Sequence, residues 1–372
     1  MTAPKSFTLH IADAAIADLR NRLARTRLPD EPPLAPWSTG TSVAYLTSLL
    51  DHWQSGFEWR AWEAKLNSFP QYTLPIGGID LHFIHAPSRK PNAPPLLISH
   101  GWPGSVFEFH KIIPLLTEHF TVIAPSLPGY TLSFKPGQQR FGVVEIARLF
   151  AELMSALGYE KFCAQGGDWG SFVTTVLGHR FADRVIGIHL NLLPVRRDPA
   201  MLPSPNAEEK AYLAQLNNFI KEEMGYQWIQ GTKPQTLAFA LTDSPAGLAA
   251  WIVEKFHAWT DNKGNPEDAV SRDEMLANIS LYWFTGAIGS SFWPYYARMH
   301  GPWPLRDGES VKVPMGYAEF PREILSPPRS LAAKSFSDIR RWTRMPKGGH
   351  FAALEQPEAL AREVIAFFDA LT

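Results

Sequence analysis

The chain has 372 residues, of which 45% are apolar and 19% charged, and its formal net charge is −1. That is enough chain for one large α/β domain with insertions or for two ordinary domains, and the balance is that of a soluble globular protein, not a disordered or fibrous one. The near-zero charge argues against a surface that tracks nucleic-acid phosphates, and Cys163, the single cysteine, excludes an intrachain disulfide or a cysteine metal cluster.

Residues 1–13 lack the apolar stretch of a signal peptide or spanning helix, so a cytoplasmic protein without a membrane anchor is expected. Ile16, Leu19 and Leu23 then predict a helix with Asp13 as its N-cap. After a proline-rich loop over 29–36, Thr41 or Ser42 caps a long aromatic helix or helix pair carrying Leu46, Leu49, Leu50, Trp53, Phe57, Trp59, Trp62 and Leu66. Strand patterns follow at 72–76 and 79–85, joined through Gly77 and Gly78 as a two-residue hairpin. Short apolar runs at 96–99, 121–124, 162–165 and 185–190 alternate with helical stretches such as 143–157, which predicts a mostly parallel sheet covered on both faces. Residues 195–300 are helical and aromatic and interrupt the strand series. It resumes at 311–318 and 339–345, and an amphipathic helix over 357–371 closes the chain. The expected organisation is an N-terminal segment with the first hairpin (1–90), a first core part (91–195), a helical cap (196–300) and a second core part (301–372).

Three motifs carry chemistry. Gly166-Gly167-Asp168-Trp169-Gly170 lies between a predicted strand and a predicted helix, in the form of a nucleophile elbow with Asp in place of Ser. Its small residues permit the sharp turn, and the helix N-terminus that follows favours negative charge there. His100-Gly101-Trp102-Pro103-Gly104 follows the strand at 96–99, where a loop amide can join an oxyanion hole, with Trp102 and Trp169 as the two backbone donors. Gly348-Gly349-His350 sits after the last strand, the place of a general base, and completes the chain order nucleophile, acid, histidine. The orienting acid should follow the strand at 311–318, where the loop offers both Glu319 and Glu323.

With these residues in place the chain resembles the epoxide hydrolases of the microsomal type, which include the juvenile hormone epoxide hydrolases, over nearly its whole length. The likeness is carried by residues 7–33, HGWPGS at 100–105, GGDWGS at 166–171 and GYQWIQGTKPQT at 225–236. It continues through LTDSPAGLAAWIVEKFHAWT at 241–260, residues 278–291, and PKGGHFAALEQPE at 346–358. The resemblance implies an α/β-hydrolase fold with a mostly parallel central sheet, a helical cap inserted after the sixth core strand, and an N-terminal helical meander against core and cap. It implies Asp168 as nucleophile, His350 as the base that activates water, and Glu323, within Phe320-Pro321-Arg322-Glu323, as the acid. Two cap tyrosines that hold an epoxide oxygen match Tyr226 and Tyr295, and Tyr296 is one alignment step away. Two departures stand near the expected substrate channel: PGYTLS at 128–133 where the family reads PGYGFS, and Trp228 where a histidine is common. Trp228 and Tyr296 are accordingly expected to line the substrate.

The implied reaction is hydrolytic opening of a small hydrophobic epoxide to a vicinal diol, with water the only other partner, no metal or organic cofactor, no nucleic acid, and a homodimer left open. A carboxylate can attack an epoxide carbon without first losing a proton, and two tyrosine hydroxyls can meet the alkoxide as it forms. A haloalkane dehalogenase shares the Asp nucleophile and the Asp-Trp pair but needs donors for a halide instead of tyrosines. A binding protein on a decayed hydrolase scaffold is the non-catalytic alternative.

Overall fold

The computed structural model describes residues 3–371, so the outermost residues of the expected 1–90 and 301–372 segments lie outside the described residues. Among the described residues nine strands form one sheet: β1 (Lys5–Ser6), β2 (Gln71–Ile76), β3 (Ile79–Ala86), β4 (Pro95–Ser99), β5 (Thr121–Pro125), β6 (Phe162–Gly166), β7 (Val185–Leu190), β8 (Met315–Glu319) and β9 (Ile339–Arg344). Their order is β1-β2-β3-β5-β4-β6-β7-β8-β9. The first three strands and β5 pair antiparallel, and everything from β5 to β9 is parallel.

The β2–β3 hairpin closes with Ile76 opposite Ile79, and Gly77 and Gly78 take φ of 60° and 79°. Positive φ at both central residues matches the right-handed twist of the strands, and glycine adopts it at no steric cost. In the central strands side chains alternate between two cores. Leu97, Ile123 and Ala164 join the cluster that includes Ile146, Phe150 and Val173 of the helices Val143–Ala156 and Asp168–Arg180. Leu96, Ile98, Val122 and Cys163 join the cluster of Ile113, Val364 and Phe368, from the helices Ile112–Leu116 and Pro357–Asp369. The sheet is thus buried on both faces, which is why its strands read as unbroken apolar runs.

Three sequence expectations need correction. Asp13 is the first residue of the helix Asp13–Leu23 and not its cap: Ala12 is the N-cap, no side chain caps that end, and the Asp13 carboxylate pairs with Arg60 instead. The strand expected over 311–318 begins only at Met315, because Val311 makes an isolated bridge to Phe336 and Pro314 has no N–H to give a ladder. The two-residue β1 was not expected; the six strands that were expected before the cap are β2 to β7, and the cap follows the sixth of them as the sequence predicts. Ser42, by contrast, caps the helix Val43–Ser55 by accepting from the Tyr45 amide at 3.4 Å.

Between β7 and β8 the chain builds a helical cap that includes Ala207–Asn218, Gly225–Thr232, Pro234–Asp243, Pro245–Trp259, Arg272–Thr285 and Trp293–His300. Among the described residues no single helix is long and apolar enough to cross a membrane; only the pair Pro234–Asp243 and Pro245–Trp259 passes jointly, and it is bent by 116°. The helix Arg272–Thr285 fastens cap to core through Glu274, Asn278 and Tyr282, spaced four apart and hence on one face. Glu274 lies 2.6 Å from Lys111 Nζ and 3.2 Å from His110 Nε2. Asn278 accepts from Ser105 Oγ and donates to the Pro103 carbonyl, both at 2.8 Å, and the Tyr282 hydroxyl donates to the Gly104 carbonyl at 2.6 Å.

Burial alone would raise the Glu274 carboxyl pKa, but the bonds from His110, Lys111 and Ser271 and the Lys111 charge outweigh it and hold it at about 2, against an ordinary 4.5. A lowered folded-state pKa stabilises the fold above the unfolded value and loses that contribution as pH falls from 4.5 through about 2. The difference amounts to about 3 kcal/mol. Glu274→Gln should therefore unfold at lower urea concentration at neutral pH by about that free energy. The gap to the parent protein should close as the pH is taken down through the same window, read from urea midpoints on a pH series.

Candidate active site

β6 ends at Gly166, and the chain turns through Gly167 into the helix Asp168–Arg180 with Asp168 at φ 47°. A non-glycine residue in that region carries strain that its surroundings must impose. Here they do so through close backbone approach. A Cβ on Gly170 would lie 1.9 Å from the Ser99 carbonyl oxygen, and one on Gly166 would lie 2.2 Å from the Gly170 carbonyl oxygen. The turn presents the Asp168 carboxylate to the end of β4, where the Trp102 amide donates to Oδ1 at 2.7 Å. His100, buried, braces that loop by accepting from the Leu127 amide at 3.1 Å. Burial drives its pKa down to about 4, so it is neutral and fit to accept.

His350 arrives from the loop after β9, its own amide donating to the Trp259 carbonyl at 2.9 Å. Its Nε2 lies 3.5 Å from Asp168 Oδ2, and its Nδ1–H donates to Glu323 Oε1 at 2.6 Å. Oε1 of Glu323 also accepts from the Ile324 amide at 2.7 Å. The two candidate acids are therefore separated: Glu319 accepts from the Trp342 indole at 2.9 Å and pairs with Arg344 at 3.3 Å, away from the imidazole. Burial works against a charged imidazole at His350, but the Glu323 and Asp168 carboxylates overcome it and hold the pKa well above the usual histidine range.

Two cap tyrosines face this group. Tyr226, from the helix Gly225–Thr232, stacks on the Trp102 indole at 5.5 Å and 12°. Tyr295, from Trp293–His300, meets the Trp169 ring edge-on at 4.7 Å and the Tyr226 ring at 5.7 Å. Burial, with the nearby Asp168 charge adding to it, pushes both phenol pKa values up, so both hydroxyls are neutral donors. Lys255, almost fully buried, sets its ammonium 4.6 Å from the Tyr226 ring and 5.3 Å from that of Trp259. Sequence reasoning passed over Lys255 and Trp259: they lie inside the family-like stretch 241–260, but no local pattern says that a lysine there turns inward.

The remaining expected residues lie elsewhere. Tyr296 turns away from Tyr295 and stacks on His300 at 4.0 Å and on Trp293 at 4.9 Å. Trp228 is 51% exposed, which corrects the expectation that it lines the substrate channel. Two positions along a helix rotate a side chain by about 200°, so with Tyr226 facing inward Trp228 must face outward. Trp169, directly after the nucleophile in the helix first turn, packs its indole against Tyr295 and Phe172. In PGYTLS, Thr131 holds φ 30° while fully buried, and Tyr130 packs its ring on His100 at 5.5 Å.

Comparison with known proteins agrees with this geometry. Residues 4–109 match the family model described as the epoxide hydrolase N terminus, and 94–225 match that of the alpha/beta hydrolase fold. Epoxide hydrolase 1 of Oryctolagus cuniculus is 38% identical over 404 aligned positions, covering 98% of this chain and 88% of the relative. The chain belongs to the epoxide hydrolase family. Among solved structures of that family, the epoxide hydrolase of Aspergillus niger superposes with a TM-score of 0.87 at 33% identity, covering 100% of this chain and 97% of the other. The juvenile hormone epoxide hydrolase of Bombyx mori superposes at 0.90 and 31% identity, over 100% and 95%. The α/β-hydrolase fold with its cap and helical N-terminal region is thus common to all three.

Because the elbow depends on backbone contact at Gly170, Gly170→Ala should cost about 1–3 kcal/mol of stability through overpacking. The same substitution at Gly78, where a Cβ meets nothing within 4 Å, tests only the φ of 79°. Urea denaturation of the two variants separates the contributions.

Proposed function

We propose that this protein hydrolyses epoxides to vicinal diols through an ester on Asp168. The observation that carries the reading is the pairing of Tyr226 and Tyr295 over a carboxylate that also meets the Trp102 amide and His350. In the first half-reaction an oxygen of Asp168 attacks an epoxide carbon and the C–O bond of the ring breaks. The developing alkoxide takes hydrogen bonds from the two hydroxyls, then a proton from one of them, leaving a phenolate to be reprotonated. The role of Lys255 is electrostatic: an ammonium on the Tyr226 ring steadies any negative charge that builds on that phenol.

Alkylation also changes His350. While Asp168 is anionic, the imidazole sits between two carboxylates and its charged form is favoured. Esterification removes one of those charges, so the pKa falls, the imidazolium gives up a proton that makes good the one lost by the phenol, and the neutral ring can then take a proton from water. Water then attacks the Asp168 carbonyl carbon, the Trp102 and Trp169 amides hold the oxyanion, and the diol leaves. Each such donor is typically worth about 3–4 kcal/mol of barrier. The aromatic surroundings of the tyrosines suit a small apolar epoxide, and the single, buried Cys163 suits a reducing, cytoplasmic setting.

His350→Gln incubated with styrene oxide should accumulate an adduct on Asp168 with the mass of the epoxide, found by intact-mass and peptide mass spectrometry, and Asp168→Asn should form none. Tyr226→Phe and Tyr295→Phe should each slow adduct formation by about 10²-fold. No adduct in the His350 variant, across epoxides that demonstrably bind, would defeat the reading.

A further inference from the structure

The two tyrosines over Asp168 are not equivalent. The Gln227 side-chain amide donates to the Tyr226 hydroxyl oxygen at 2.8 Å, and the Gln227 carbonyl accepts from Arg197 Nη1 at 3.3 Å. A carboxamide has one donor end and one acceptor end, so a guanidinium on its carbonyl obliges the nitrogen to face the phenol. Arg197, in the chain that leaves β7 for the cap, is itself held with its guanidinium 5.0 Å from the Phe219 ring. Tyr295 has no counterpart to this arrangement: its hydroxyl has no hydrogen-bond partner among the described residues. Burial, with Asp168 adding to it, raises both phenols, but at Tyr226 the Arg197 charge and the Gln227 bond act against the rise. No positive charge does so at Tyr295.

We propose that Gln227, held by Arg197, is a positioning residue that selects Tyr226 as the tyrosine that surrenders its proton to the epoxide oxygen. The inference rests on the epoxide reading and gives its first step an unequal pair of tyrosines. A phenol oxygen carries two lone pairs and one hydrogen. With a lone pair of Tyr226 filled by the Gln227 amide, the hydrogen is left for the substrate. As an Asp168 oxygen bonds to the epoxide carbon, the ring C–O bond breaks and its electron pair passes to oxygen, which takes the Tyr226 hydrogen. The electrons of the former O–H bond stay on the phenol oxygen. That phenolate meets an N–H already in place, and a hydrogen bond to an ionised acceptor is roughly twice as strong as one to a neutral acceptor. Gln227 therefore contributes more as the proton leaves than it does in the resting enzyme, which lowers the barrier instead of merely tightening binding. The phenol recovers its proton from the His350 imidazolium once the ester has formed. Tyr295 holds the epoxide oxygen by a hydrogen bond and keeps its own hydrogen.

The rate of adduct formation with styrene oxide, followed by rapid quench and intact mass in the full-length His350→Gln protein, tests the assignment. Gln227→Leu added to that protein should slow the saturating rate about tenfold or more, while the half-saturating concentration stays within about twofold. Added further to Tyr295→Phe it should cost the same factor, but added to Tyr226→Phe, where Tyr295 must give the proton, it should cost less than about twofold. A glutamine that only braced the helix Gly225–Thr232 would slow both backgrounds alike. Gln227→Glu, of the same length, sets an anion where the amide donates and should slow adduct formation at least as far as leucine does. An undiminished saturating rate in either variant, or equal losses in the two tyrosine backgrounds, would overturn the assignment and leave the epoxide reading standing. Absence of adduct in His350→Gln itself would overturn both.

Discussion

Backbone crowding at the end of β6 is the constraint on which the site depends. The Ser99 carbonyl approaches Gly170, and the Gly170 carbonyl approaches Gly166, closely enough that neither position has room for a side chain. The same crowding holds Asp168 at a positive φ. Position follows from it: with the nucleophile fixed over β4 and β6, the Trp102 amide can reach one carboxylate oxygen and His350 the other. The sheet supplies the rigidity, since β4 and β6 pair in parallel register up to Ser99 and Gly166 and are buried on both faces.

Above that fixed point, charge and aromatic packing divide the work. Below and beside Asp168 are groups that handle protons and anions: an imidazole between carboxylates, a backbone amide and a buried acid. Over it are rings, with Trp102, Tyr226, Tyr295 and Trp169 each in contact with at least one other. The tyrosines thereby gain fixed orientations while their hydroxyls remain the polar points of an apolar roof. Lys255, ion-paired with Glu254, is the exception among those rings, and its position against Tyr226 couples the roof to the electrostatics beneath.

What was legible in the sequence was local. The hairpin at Gly77 and Gly78, the elbow around Asp168 and the histidine after the last strand each announce themselves within a few residues, because a turn or a strand-to-helix junction demands particular small residues at fixed offsets. The choice between Glu319 and Glu323 was not available from chain order. It depends on which carboxylate meets the imidazole, and Glu319 at the end of β8 is instead occupied by Trp342 and Arg344 of β9. Trp228 was misplaced because motif membership was read without the helical period that turns it away from Tyr226. Lys255 gave no signal at all: an inward-facing charged residue is defined by what packs around it, and those neighbours come from distant parts of the chain.

The helix Arg272–Thr285 does more than close the molecule. Its Asn278 and Tyr282 hold the Pro103 and Gly104 carbonyls of the very loop whose Trp102 amide faces the nucleophile. A cap that swung upward on a hinge would pull this loop with it and draw the Trp102 amide away from Asp168 at each cycle. Cap and core are therefore one mechanical unit around Asp168, and the amide that meets its carboxylate is only as steady as the helix gripping the two neighbouring carbonyls.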